Sequence, residues 1–132
     1  MIAIKNLSDL LTSMQPELVD QVFVFCTVKE RLDQYIALEP VATFIEQEGL
    51  TLVLTKDKAD KANLAYEGLF QQITLTVHSS LDAVGLTAAV STKLASKGIS
   101  ANVIAAYYHD HIFVPSEQAE QALLALKTLS YQ

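Results

Sequence analysis

Short apolar runs alternate with small polar segments along the chain, and the spacing of the apolar positions switches between the strand and the helix period. Asn6-Leu7-Ser8-Asp9 followed by Leu10, Leu11 and Met14 predicts a short capped helix that ends before Pro16. VFVFCTV, residues 22–28, is β-branched and aromatic and predicts a buried strand. Residues 29–40 are charged and irregular and read as a loop. ATFIEQEGLTLVLT, residues 42–55, predicts two strands about a turn near Glu48-Gly49. A lysine-rich helix follows over residues 56–63, with Ala59 and Ala62 inward. ITLTV, residues 73–77, predicts a strand, and His78-Ser79-Ser80 a polar loop. A helix is expected from about Leu81 to Lys97, stopped by Gly98. Residues 101–108 and 111–114 predict a second hairpin, and Ser116 a capped last helix with Glu117 and Glu120 near its positive end.

The two halves rhyme. A shift of sixty residues lays GLTLVLTKDKADKA on HDHIFVPSEQAEQA, with Ala59 over Ala119 and Ala62 over Ala122. A repeat this short is one supersecondary unit that cannot bury its sheet face alone, so copies pair. The second copy has the order βαββα; the first lacks a clear helix after its first strand and carries one in front. A right-handed β-α-β crossover puts the helices on one face. The expected fold class is therefore α+β, with ferredoxin-like βαββα units in tandem and an antiparallel sheet with helices on one face. The sequence division falls at residues 1–66 and 67–132.

Composition narrows the function classes. Half of the 132 residues are apolar and 18% are charged, enough for a sizeable core. No apolar run approaches the ~20 residues that span a bilayer, and the start, MIAIKNLSDLL, lacks the apolar stretch and cleavage site of a signal peptide. The single cysteine, Cys26, cannot form an internal disulfide and fits a reducing cytoplasm. The net charge is −6 and Arg31 is the only arginine, so nucleic acid and anionic membranes are poor partners. Cys26 lies in an apolar strand, where a thiol is an inert small hydrophobe, and the single arginine, on which a phosphate-holding site would lean, sits in a charged loop. The expectation is no enzyme.

The densest chemistry is AYYHDHIFVP, residues 106–115. His109 and His111 would share a face on a continuous strand, and with His78 and Asp110 they would suit zinc. Asp110, however, is expected to turn the chain and separate them, so no metal site and no cofactor are predicted, and the histidines read as exposed polar residues at a hairpin end. Asp110 is either an ordinary turn residue or a counter-charge for a ligand's amino group. Gly85 either relieves crowding where a helix enters the sheet or lets a ligand approach the free N–H groups of that helix. Asp82 is the natural helix cap. Ser79 and Ser80 close the loop or hold a charged group with their hydroxyls.

SSLDAVGLTAAVSTKLASKGISANVIAAYYHDHIFVP, residues 79–115, resembles the ACT domain, a small βαββα regulatory module that binds amino acids. It is most similar to the tandem kind found in small bacterial proteins and in cytosolic arginine sensors of animals. The family's loop reads roughly D-x-P-G-x-L; here Asp82-Ala83-Val84-Gly85-Leu86 carries valine where proline is common, as the tandem subgroup does. The resemblance covers Ile73 to Leu129 closely and the first half through its hairpin and helix. It implies a non-enzymatic, cytoplasmic sensor of a small ligand, an amino acid, with a site formed by Ser79, Ser80, Asp82, Val84, Gly85, Leu86, His109 and Asp110. The implied partners are that ligand and a second copy or a separate regulated protein. The rival expectation is a ligand-free assembly or protein–protein interaction module, whose apolar sheet edges pair between chains.

Overall fold

The computed structural model describes residues 3 and 6–130. The chain packs as two compact units, one of residues 21–70 and one joining residues 6–20 to residues 71–130.

In the unit of residues 21–70, strands β2 (Phe23–Val28), β3 (Ala42–Ile45) and β4 (Leu50–Thr55) form an antiparallel ladder with β4 in the middle. The period of two sends Val24, Cys26 and Val28 to the same face as Leu50, Leu52 and Leu54, and Ala59 of helix α2 (Lys56–Lys61) packs against them. Gly49 ends the β3–β4 turn because a Cβ there would stand 2.8 Å from Thr27 Oγ1 and 2.9 Å from the Val28 carbonyl oxygen. Residues 29–40, expected to be a loop, contain two 3-10 turns, Leu32–Gln34 and Ile36–Leu38, from which Tyr35 and Leu38 reach the core.

In the other unit, strand β5 (Phe70–Leu75) lies between β1 (Pro16–Leu18) and β7 (Asp110–Pro115), and β6 (Asn102–Ala105) is the outer strand beyond β7. Helices α1 (Leu7–Thr12), α3 (Leu86–Ser96) and α4 (Ala119–Leu129) cover one face. Their buried residues, among them Leu10, Val90, Leu94, Ala122 and Leu126, meet Ile73, Leu75, Ile112 and Val114. As expected, Asn6 caps α1 by accepting the Asp9 N–H at 3.2 Å. Leu10 and Met14 then bury fully in this core, which is why residues 6–20 pack with the second sequence repeat. The packing units and the sequence repeats thus differ in where the N-terminal segment belongs.

The repeat is visible in detail. Strands β4 and β7 begin sixty residues apart and show the same order of buried and half-buried positions. Ala59 and Ala119 are both buried behind them.

Three local expectations are corrected. Helix α3 begins at Leu86 rather than near Leu81, because residues 81–84 are spent on a turn. Asp82 therefore caps nothing; Gly85 stands at the N-cap position. Ser116 does not cap the last helix either: its hydroxyl donates to Gln71 Oε1 at 3.1 Å, and a 3-10 turn, Ser116–Gln118, leads into α4.

Candidate functional site

The loop that leaves β5 is closed by its own short bonds. The Ser80 hydroxyl accepts the Asp82 N–H at 3.1 Å and the Ser80 carbonyl accepts the Ala83 N–H at 2.9 Å. The chain then turns through Gly85, at φ +103°, into α3. The Ala89 N–H donates to the Gly85 carbonyl at 2.9 Å, so the N–H groups ahead of it in the first turn have no partner within the helix. A cavity of about 140 Å³ opens beside them. Five predicted site residues line it: Ser79, Ser80, Gly85, Leu86 and Asp110. Leu81, Ala83, Thr87 and Ala105 line it as well.

The other predicted residues lie outside the cavity. Asp82 is exposed and Val84 is 82% exposed. His109 is half-buried, and its Nδ1 lies 3.0 Å from the Val77 carbonyl oxygen. A carbonyl only accepts, so this nitrogen carries the proton.

Asp110 is not a turn residue. It opens β7, paired with Ala105 of β6, and only 9% of it is exposed. The hairpin turn lies before it, closed by the Ala106 N–H donating to the His109 carbonyl at 3.0 Å, with Tyr107 and Tyr108 at the exposed tip. A carboxylate placed this way has few partners. The Ser79 hydroxyl approaches Asp110 Oδ2 at 3.5 Å, a long contact for an O–H donor. Burial pushes the Asp110 carboxyl above its ordinary range, against the opposing pull of the Ser79 hydroxyl and of His111 and His109.

The histidines diverge. His111, half-buried rather than exposed, holds its Nδ1 3.0 Å from Thr74 Oγ1 and 3.1 Å from Gln72 Nε2. Burial, then the neighbouring charge of His109, lowers its pKa, and Asp110 partly offsets them. The His109 and His111 ring centroids are 6.5 Å apart at 83°. His78 lies against the Tyr108 ring at 5.0 Å instead. Among the described residues, no group of three or more His, Cys, Asp or Glu side chains is placed to hold a metal ion.

The start of α3, two serine hydroxyls and a buried carboxylate thus line one cavity. Two family models described as ACT domain match the chain, one over residues 2–71 and one over residues 70–128. A crystallised Vibrio cholerae protein of unknown function, described as a possible transport protein, is 61% identical over 94% of this chain and 95% of its own, with a TM-score of 0.87. An Agrobacterium tumefaciens protein of known structure is 15% identical over 87% of each chain, with a TM-score of 0.69. The ligand-free regulatory subunit of aspartate kinase from Thermus thermophilus is 15% identical over 89% of this chain and 97% of its own, with a TM-score of 0.64. The last two share the fold alone. No match was found among curated proteins. ACT domains are typically regulatory domains that bind small ligands, and with two such models in tandem this chain belongs to the ACT domain family.

Proposed function

We propose that the protein is a non-enzymatic sensor that binds an amino acid in the cavity between residues 79–87 and the start of β7. The observation that carries this reading is Asp110, a buried carboxylate with one long hydroxyl contact, lining the same cavity as Gly85, Leu86 and Thr87. A buried charge without full pairing is costly, and a ligand ammonium would complete it. The ligand's own carboxylate would meet the free N–H groups of α3, where the helix dipole favours negative charge. At about 140 Å³ the cavity is well below the ~300–1,000 Å³ of drug-sized sites, which favours the polar head of a small metabolite.

Residues 1–66 and 67–132 are read as two ACT-like units, of which the second carries this site. The output is a shift in a second chain or a separate regulated protein, since a ligand acts through its different affinity for two states. The buried free thiol of Cys26 fits a cytoplasmic protein, and among the described residues no helix is long and apolar enough to cross a membrane. A purely architectural module has no use for a desolvated carboxylate at a helix N-terminus, which favours the ligand reading over ligand-free assembly.

A thermal-shift screen against the twenty amino acids tests it. A ligand at a hundredfold excess over Kd should add about 2.7 kcal/mol to stability. If none of them shifts the transition at millimolar concentration, the amino-acid reading fails.

A further inference from the structure

The two hairpins can be compared row by row. On the core face of β4 stand Leu50, Leu52 and Leu54, all buried. The register puts Ile45 of β3 opposite Leu50 and Thr43 opposite Leu52. Val41, whose N–H donates to the Val53 carbonyl at 2.8 Å, extends that row by one more alternate position. In the second copy the equivalent outer row is Ala101, Val103 and Ala105.

The cover over the two rows differs. Ala101 and Val103 pack against the core that contains Leu86, Val90 and Leu94, the inner stripe of α3. The first copy has no such helix between its first two strands, only two 3-10 turns. Its outer row is left open, with Val41 54% exposed, Ile45 81% exposed, and Ile36 of the second turn 60% exposed. The helix is missing, yet the row beneath it is β-branched throughout and apolar at Val41 and Ile45. Isolated apolar side chains on a surface need no explanation, but a row that continues a buried core face does.

Charge says what kind of cover fits. Residues 29–49 hold five acids (Glu30, Asp33, Glu39, Glu46, Glu48) against Lys29 and Arg31, a local charge of −3. Arg31 is taken up by Asp33 at 3.7 Å and Glu39 by Lys58 at 3.3 Å, which leaves Glu30, Glu46 and Glu48 against Lys29. A covering element would therefore be apolar on one stripe and basic on its flanks. A second copy has no spare helix of this kind among its described residues. The two long ones, α3 and α4, already bury their stripes in their own unit.

We propose that the open outer row of β3, formed by Val41, Thr43 and Ile45, is the docking site for a basic amphipathic helix of a separate protein, seated as α3 is seated in the other copy. Apolar positions at i, i+4 and i+8 would meet the row, as in helix-in-groove recognition. The inference stands apart from the ligand reading, since this face belongs wholly to residues 21–70.

The probe is a peptide of residues 85–98, which carries Leu86, Val90 and Leu94 with two lysines and no acid. A hydrocarbon bridge replaces Ala88 and Thr92, both on the exposed side, because an isolated helix this short is marginal and needs preorganising. Labelled peptide is titrated with the full-length protein and followed by fluorescence anisotropy. Saturable binding is expected, weakening about tenfold or more with Ile45→Asp while the melting temperature holds. It should also weaken severalfold when salt rises from about 0.05 to about 0.5 M. Phe44→Asp, on the opposite face of the same strand and also exposed to water, should leave it within about twofold. No saturable binding at about 1 mM peptide overturns the proposal. So does equal loss from both variants. A concentration-dependent dimer that Ile45→Asp dissolves also overturns it, because a second copy would then be the occupant.

Discussion

Leu50 and Asp110 open β4 and β7 at matching positions of the repeat, and both are buried, at 7% and 9% exposure. One copy places an apolar side chain at this point of the sheet and the other a carboxylate. Asp110→Leu copies the first unit into the second and should raise stability by ~1–2 kcal/mol at pH 7, the scale of relieving a poorly satisfied buried polar group. The folded-state pKa of Asp110 lies above its unfolded value. Its contribution is therefore most favourable below about pH 3.9, the unfolded pKa, and is lost as pH rises through the folded pKa. The gain from Asp110→Leu should accordingly shrink toward pH 4. Urea denaturation at the two pH values checks this, and an equal gain at both would mean that the charge is not the cause.

The same pair explains what was legible beforehand. The sixty-residue shift already set Asp110 over Leu50 and His109 over Gly49, which places Asp110 inside a strand and the turn before it. Local turn preference, which favours aspartate at a hairpin tip, points the other way, and the β6–β7 register shows that the repeat is the better guide. The strands β2, β4 and β7 and the stop of α3 at Gly98 follow from period and capping alone. The start of α3 does not, because Asp82 looks like a cap until Ser80 is seen to close the turn through its own hydroxyl and carbonyl. Ala105 and Thr87 carry no signal in a single sequence. A small residue opposite a buried carboxylate becomes notable only once the β6–β7 register is known.

His111 should make the protein lose stability on mild acidification. Its folded pKa lies below the unfolded value, so stability is fully present above the unfolded pKa of about 6.5 and is lost as pH falls through the folded pKa. His111→Gln keeps a polar group near Gln72 and Thr74 and cannot titrate. Comparing unfolding free energies at pH 7.5 and 5.5, the wild type should fall more than the variant. Parallel declines would show that His111 is not the cause.

Gly85 is held by the backbone and by α1. Its φ of +103° strains any other residue, and a Cβ would stand 3.1 Å from Leu7 Cδ2. Gly85→Ala should therefore cost more than about 1 kcal/mol with no ligand present. Leu7→Ala in the same chain relieves the contact and should recover part of that loss, leaving the φ strain. Full recovery in the double variant, measured by thermal unfolding, would show that backbone conformation contributes nothing.

Because Gly85 variants disturb the fold, the cleaner test of the cavity is Ala105. It is exposed, pairs with Asp110 in the ladder, and lines the cavity. Ala105→Leu puts an isobutyl group where a methyl stands, at a strand position that accepts it, so stability should change by less than about 0.5 kcal/mol. The cavity is only about 140 Å³, and the added bulk competes directly with a ligand. Any amino acid found to stabilise the wild type should lose about a hundredfold or more in affinity for the variant, about 2.7 kcal/mol or more, measured by calorimetry. Asp110→Asn, which keeps the shape and removes the charge, should lose about ten- to a hundredfold. Wild-type affinity in both variants would move the binding site away from this loop and strand.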